Sequence, residues 1–299
     1  MNRHHSILAL GAAALMTSVT FAGTAVAADM ALRGPQTYYA PPPPPVEEFG
    51  GWYLRGDIGF SNQRVKNIEM GDNRNAQLLS IQQNTAFDTA GIYQIGVGYQ
   101  FNSWLRGDIT GQYRGNSNFK GTDRVTFPAS GLVGNGINNY NATKSEWVVM
   151  ANGYVDLGTW WCVTPFVGAG VGMARVNIAN YTDNGAIDIG TTPAGVAFRG
   201  GPFPSYAGAP AASKWNFAWA LHTGLAYKVN PAMTVELGYS YMNLGDATTG
   251  PVSTYQGATL GVPMQFKDIT SHDLKLGVRW NLDSPAVYAP PPPPLIRKG

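Results

Sequence analysis

Thr270–Leu282 reads T-S-H-D-L-K-L-G-V-R-W-N-L. Leu274, Leu276, Val278, Trp280 and Leu282 share one face, while Asp273, Lys275, Gly277, Arg279 and Asn281 share the other. Period-2 alternation of this kind marks a strand lying between two unlike environments. One face is an apolar ladder ending in an aromatic residue, and the other is charged. Which face meets solvent depends on the rest of the chain.

Seven further segments alternate in the same way: 52–60, 92–101, 104–114, 146–157, 163–173, 215–229 and 233–242. Three of the connections are tight, at Asn102-Ser103, Gly158–Trp161 and Asn230–Ala232. The other four, near 61–91, 115–145, 174–214 and 243–269, are long. Short turns at one end and long loops at the other are the pattern of a membrane barrel, with the turns periplasmic. Trp52, Trp104, Trp160, Trp161 and Trp280 map to the short-turn end, and Trp147 and Trp215 to the long-loop end. Two aromatic girdles of this kind fit the two headgroup levels of a bilayer. The apolar faces then point to lipid. The expected fold is all-β, an eight-stranded antiparallel transmembrane β-barrel spanning 51–282 in the cell outer membrane.

The ends of the chain agree with export. Arg3, His4 and His5 precede an apolar run, Ile7–Val19, and Ala25-Val26-Ala27 offers a small-residue cleavage site before Ala28. Residues 1–27 therefore read as a secretory signal peptide. Segments 28–50 and 283–299 each carry Y-A-P-P-P-P-P, at Tyr39–Pro45 and Tyr288–Pro294, and read as stiff polyproline rods on the periplasmic side. Only 13% of residues are charged, and removing Arg3 with the leader leaves 19 bases against 18 acids. That near-neutrality speaks against a nucleic-acid partner. The one cysteine, Cys162, allows neither an internal disulfide nor a cysteine metal cluster.

Several stretches resemble the small outer-membrane immunogenic, porin-like β-barrel proteins of Gram-negative alpha-proteobacteria, within the broader OmpA-like barrel superfamily. They are Gly51–Gly59 (GWYLRGDIG), Asn152–Asp156 (NGYVD), Thr164–Gly172 (TPFVGAGVG) and Glu236–Tyr239 (ELGY). The resemblance implies outer-membrane lipid and lipopolysaccharide as surroundings and the barrel-insertion machinery as a partner. Lys275, Gly277, Trp280 and Leu282 resemble the insertion signal that machinery reads, although here residues run on beyond it. The Ala28-Asp29 start resembles relatives whose N-terminal alanine is joined to peptidoglycan, which makes Ala28 a candidate attachment site.

The lumen-facing charges are Arg55, Asp57, Arg106, Asp108, Asp156, Glu236, Asp273, Lys275 and Arg279. Bases and acids nearly balance. In so narrow an interior, charges survive by pairing. A salt-bridged plug and a narrow ion path are the two readings this leaves. No catalytic constellation, metal cluster or cofactor motif emerges. Gly168, Gly170 and Gly172 lie within a strand with no helix after it, so they are packing residues and not a phosphate cradle. His222 faces the same interior, with Ser240 on another strand. The leading expectation is a structural envelope protein contacting the cell wall through its tails. A small-solute channel and a surface adhesin are the alternatives.

Overall fold

The computed structural model describes residues 50–72, 74–191 and 197–283. The leader, both proline rods and Ala28 lie outside the described residues, as does the tail after Asp283. Among the described residues, eleven antiparallel strands form one sheet. They are β1 (Gly51–Arg64), β2 (Asn67–Met70), β3 (Ser80–Phe87), β4 (Ala90–Gln100), β5 (Leu105–Ala129), β6 (Leu132–Asp156), β7 (Val163–Thr191), β8 (Ala197–Ala209), β9 (Ala212–Lys228), β10 (Met233–Thr254) and β11 (Thr259–Asn281).

The expected count of eight strands is therefore corrected to eleven. Strands β2, β3 and β8 all lie in segments read from the sequence as loops. Strands β5, β6 and β7 are 25, 25 and 29 residues long. Crossing a membrane takes only about 9–11 tilted residues. The Asn-, Gly- and Thr-rich segments keep pairing because an antiparallel ladder is made by backbone groups. Once two strands are aligned, polar side chains do not interrupt it.

The register ties the ends of the chain together. β1 pairs with β4 on one side and with β11 on the other, Leu54 opposite Trp280 and Phe60 opposite Leu274. β7 passes its pairing to β9, and β10 lies between β9 and β11. The three tight connections of the sequence are retained, as residues 101–104, 157–162 and 229–232.

Burial follows the period of two. On β11, Ser271, Asp273, Lys275 and Arg279 are buried while Leu274, Leu276, Val278 and Trp280 are exposed. The charged face is inside and the apolar face outside, the reverse of a soluble sheet. All seven tryptophans assigned to the girdles are exposed. At one end Trp147 and Trp215 stand level, both opposite Arg175, and Tyr113 packs on Trp147 at 4.8 Å. At the other, Trp52 meets Tyr99 at 5.4 Å, and Tyr99 meets Phe101 at 5.3 Å. Between Trp147 and Leu157 the strand advances roughly 33 Å at about 3.3 Å per residue. At a tilt of about 40° that spans the ~25 Å apolar band of such proteins.

Candidate functional site

The interior changes character along the strands. Near the short turns it is ionic. Arg55 reaches Asp57 at 2.8 Å, Asp108 at 2.9 Å and Glu236 at 3.4 Å. Arg106 reaches Asp156 at 3.1 Å and Glu236 at 3.3 Å. Arg279 approaches Glu236 at 3.5 Å, and the Lys275 ammonium donates to Gln94 at 3.2 Å. The Arg106 guanidinium also lies over Tyr154 at 4.4 Å and Phe166 at 4.8 Å. Eight of the nine charges singled out in the sequence belong to this tier.

Asp273, the ninth, sits in a second tier that the sequence reading did not assemble. There Arg114 meets Asp273 at 2.5 Å and Glu146 at 3.6 Å, and Lys144 pairs with Glu146. Ser61, Gln63 and Ser271 complete the hydrogen bonding around them. Arg114 carries the same even-numbered parity as Arg106, and that parity was the available signal. Lys144 falls in 115–145, whose composition predicts a loop.

Small residues make room for these side chains. A Cβ built on Gly170 would strike Asn152, one on Gly168 Tyr154, and one on Gly277 Asp57. The close approach of neighbouring side chains explains why β7 carries glycine on its inner face.

His222 and Ser240 are directly opposite one another on β9 and β10. The ring bonds Ser240 Oγ through Nδ1 at 2.8 Å and Asn152 Oδ1 through Nε2 at 3.1 Å. The Ser–His–Asn order resembles a hydrolytic relay, and the sequence reading missed its Asn152 member. All three side chains are buried, and the adjoining void is only about 10 Å³. That is about the space of one water molecule. No acyl group could reach the serine, so the trio acts as a hydrogen-bonded filling.

Above the ionic tiers the interior turns apolar. Phe87, Phe119, Tyr140, Leu244, Phe266 and Ile269 belong to one buried cluster, which also reaches down past the second ionic tier to Val148 and Met150 on β6. Phe119 packs on Phe87 and Phe266, each at 5.0 Å. The exposed face turns polar over the same stretch. On β6 it runs from Val155, Val149 and Trp147 to Ser145, Asn141, Asn139 and Asn135. The exposed face turns polar at the tryptophan level, and the interior becomes mainly apolar beyond the second ionic tier. Below the tryptophans the sheet is built for lipid, and above them for water.

An apolar exposed band framed by aromatics, around an ionic interior, defines an integral β-protein of the outer membrane. A model of the outer membrane protein beta-barrel domain family matches residues 12–281, and the chain belongs to that family. An uncharacterized protein of Brucella melitensis is 30% identical over 246 residues, covering 77% of this chain and 78% of its own length. The outer membrane protein PagN of Salmonella typhimurium is 26% identical, covering 77% and 89%. A putative adhesin of Rickettsia canadensis is 28% identical, covering 77% and 88%. Among solved structures, OprG of Pseudomonas aeruginosa aligns over 78% of this chain and 97% of its own, with 11% identity and a TM-score of 0.43. The protein is thus an outer-membrane protein related to alpha-proteobacterial and other Gram-negative outer-membrane proteins and adhesins. Among the described residues no His, Cys, Asp and Glu cluster is placed to hold a metal.

Proposed function

We propose that this protein is a surface-recognition protein of the adhesin type, carried on an interior that is plugged. The polar exposed face above Trp147, laid over a packed interior, carries the reading. A channel needs a continuous wet path, but the interior passes from paired charges into a packed apolar cluster. A purely structural anchor needs no strands beyond the bilayer. Here β5, β6 and β7 continue well past the upper aromatic level, with a polar exposed face and an apolar core. That is the build of a water-exposed recognition platform, where surface segments carry function on a rigid support. The relatives named as adhesins favour the same reading.

The test is adherence. A non-adherent Gram-negative strain displaying the protein is expected to bind cultured host cells. A variant with residues 119–140 replaced by a short turn should still insert in the outer membrane but lose most of that binding. Equal adherence by the shortened variant would sink the proposal.

A further inference from the structure

The exposed face of β6 alternates without interruption from Asp156 up to Gly134, because the two extra residues near this stretch are inserted on β5 and on β7. The side of β6 that carries Trp147 therefore also carries Asn139, Ile137 and Asn135. On this side, across β3, β5, β6, β7 and β8, lies a shallow two-part groove. One part, of about 530 Å³, is lined by Arg124, Asn135, Asp188 and Pro202 among others. The other, of about 620 Å³, is lined by Asn139, Asn184, Tyr206 and Tyr255. Ile137 and Ala186 belong to both, so the two parts are continuous.

The lining chemistry narrows the ligand. Four carboxamides, those of Gln82, Asn135, Asn139 and Asn184, with one guanidinium and one carboxylate, offer planar pairs of donors and acceptors. Asp188 Oδ1 is buried with no hydrogen-bond partner among the described residues. Tyr255 is 84% exposed and Tyr206 44%, and they adjoin, since Tyr255 N–H donates to the Tyr206 carbonyl at 3.1 Å. Exposed rings beside amide groups suit a polyhydroxylated chain, whose C–H faces lie on aromatic rings and whose adjacent hydroxyls each donate and accept. Arg124 and Asp188 cancel in charge, which disfavours a polyanion.

Position chooses the source. From Trp147 to Asn139 the strand rises roughly 26 Å along its axis, or about 20 Å above the headgroup level at a tilt of about 40°. A groove at that height, facing sideways along the membrane surface, lies in the sugar layer of the outer leaflet. We infer that it binds the neutral polysaccharide of lipopolysaccharide in the protein's own membrane. The inference is independent of adhesion, which would use any part of the platform.

The experiment titrates full-length protein in detergent micelles with polysaccharide detached from the source strain's lipopolysaccharide. The other ligands are its lipid A and a sulfated host-type glycan. The detached polysaccharide should bind, and Tyr206→Ala/Tyr255→Ala should weaken it roughly tenfold, the loss of one or two good contacts. Arg124→Ala, at the far end of the groove, should weaken it several-fold and guards against misfolding of the tyrosine variant. No binding of the polysaccharide, or unchanged affinity in both variants, overturns the inference. Binding confined to lipid A, or tighter binding of the sulfated glycan, overturns the assigned source.

Discussion

Arg106 Nη1 stands 3.3 Å from Glu236 Oε1 with both side chains almost wholly buried, yet the contact lacks hydrogen-bond geometry. Both terminal nitrogens of Arg106 and Oε1 of Glu236 have no directed partner among the described residues. The pair is held by charge alone. Glu236 also faces Arg55 and Arg279, so one carboxylate is shared by three guanidiniums.

Glu236→Gln should therefore be among the most damaging single changes in the interior. It leaves three buried cations facing only Asp57, Asp108 and Asp156. Breaking a buried pair on one side costs about 3–5 kcal/mol. Urea unfolding of the protein refolded into lipid vesicles measures it directly. A loss under about 1 kcal/mol would mean that water already screens this tier.

The same packing predicts electrical silence. In planar bilayers the native protein should show no steady openings, whereas Arg106→Ala/Asp108→Ala should leak. The double change removes Arg106's contacts to Asp156 and Glu236 and Asp108's contact to Arg55. It deletes one charge of each sign, so the interior stays balanced and only space is created. Reproducible native openings whose ion preference shifts in the variant would make the protein a channel.

In the platform, burial first and the Asp123 charge second push the Asp183 carboxyl up to about 7. Asp123 is itself satisfied, accepting from Tyr140 at 2.6 Å and Asn138 at 2.8 Å. Asp183 Oδ1 and the nearby Tyr181 hydroxyl have no partner among the described residues, and the Tyr140 and Tyr181 rings stack at 6.2 Å. The native state binds this proton more tightly than the unfolded chain, whose carboxyl titrates near ~3.9. The stabilisation is complete below that value and is lost as pH rises through about 7. Amide exchange in β6 and β7, corrected for intrinsic rates, should be slower at pH 5 than at pH 8. Asp183→Asn should abolish the difference.

The membrane-level half of the molecule was legible because one alternation runs through it. Arg55, Arg106, Glu236 and Arg279 are all placed inside by parity alone. The upper half was not, for two physical reasons. The exposed face turns polar above Trp147, so Asn139 and Asn141 resemble a loop when they are the wetted face of a strand. Single-residue insertions also flip the parity. On β5 the buried set changes from Arg114 to Ser117, and on β7 from Ile178 to Tyr181, past Asn180 at a φ of 53°. A one-residue slip sends every later side chain to the other face. Partner choice was equally hidden, since Asn152 joins His222 and Ser240 from a third strand.

Strands β2 and β3 show how the platform closes where the backbone ladder does not. Among the described residues β2 pairs only with β11 and β3 only with β5, so each presents an edge without a ladder partner there. Unpaired edges invite slippage or pairing with other chains. Gln83 on β3 turns its carboxamide toward β2, where Ile68 N–H donates to its Oε1 at 3.3 Å and its Nε2 donates to the Ile68 carbonyl at 2.8 Å. The side chain mimics a neighbouring strand's peptide group for one residue. The Ile68 side chain is only 1% exposed in the apolar cluster beneath, so this clasp also seals the core. Gln83→Ala should leave membrane insertion intact while raising amide exchange at Ile68 and protease cutting between 65 and 90. Gln83→Glu keeps the acceptor but loses the donor, so it should fall between the two. If neither variant differs from the native protein in exchange at Ile68, β2 is held by its β11 pairing alone.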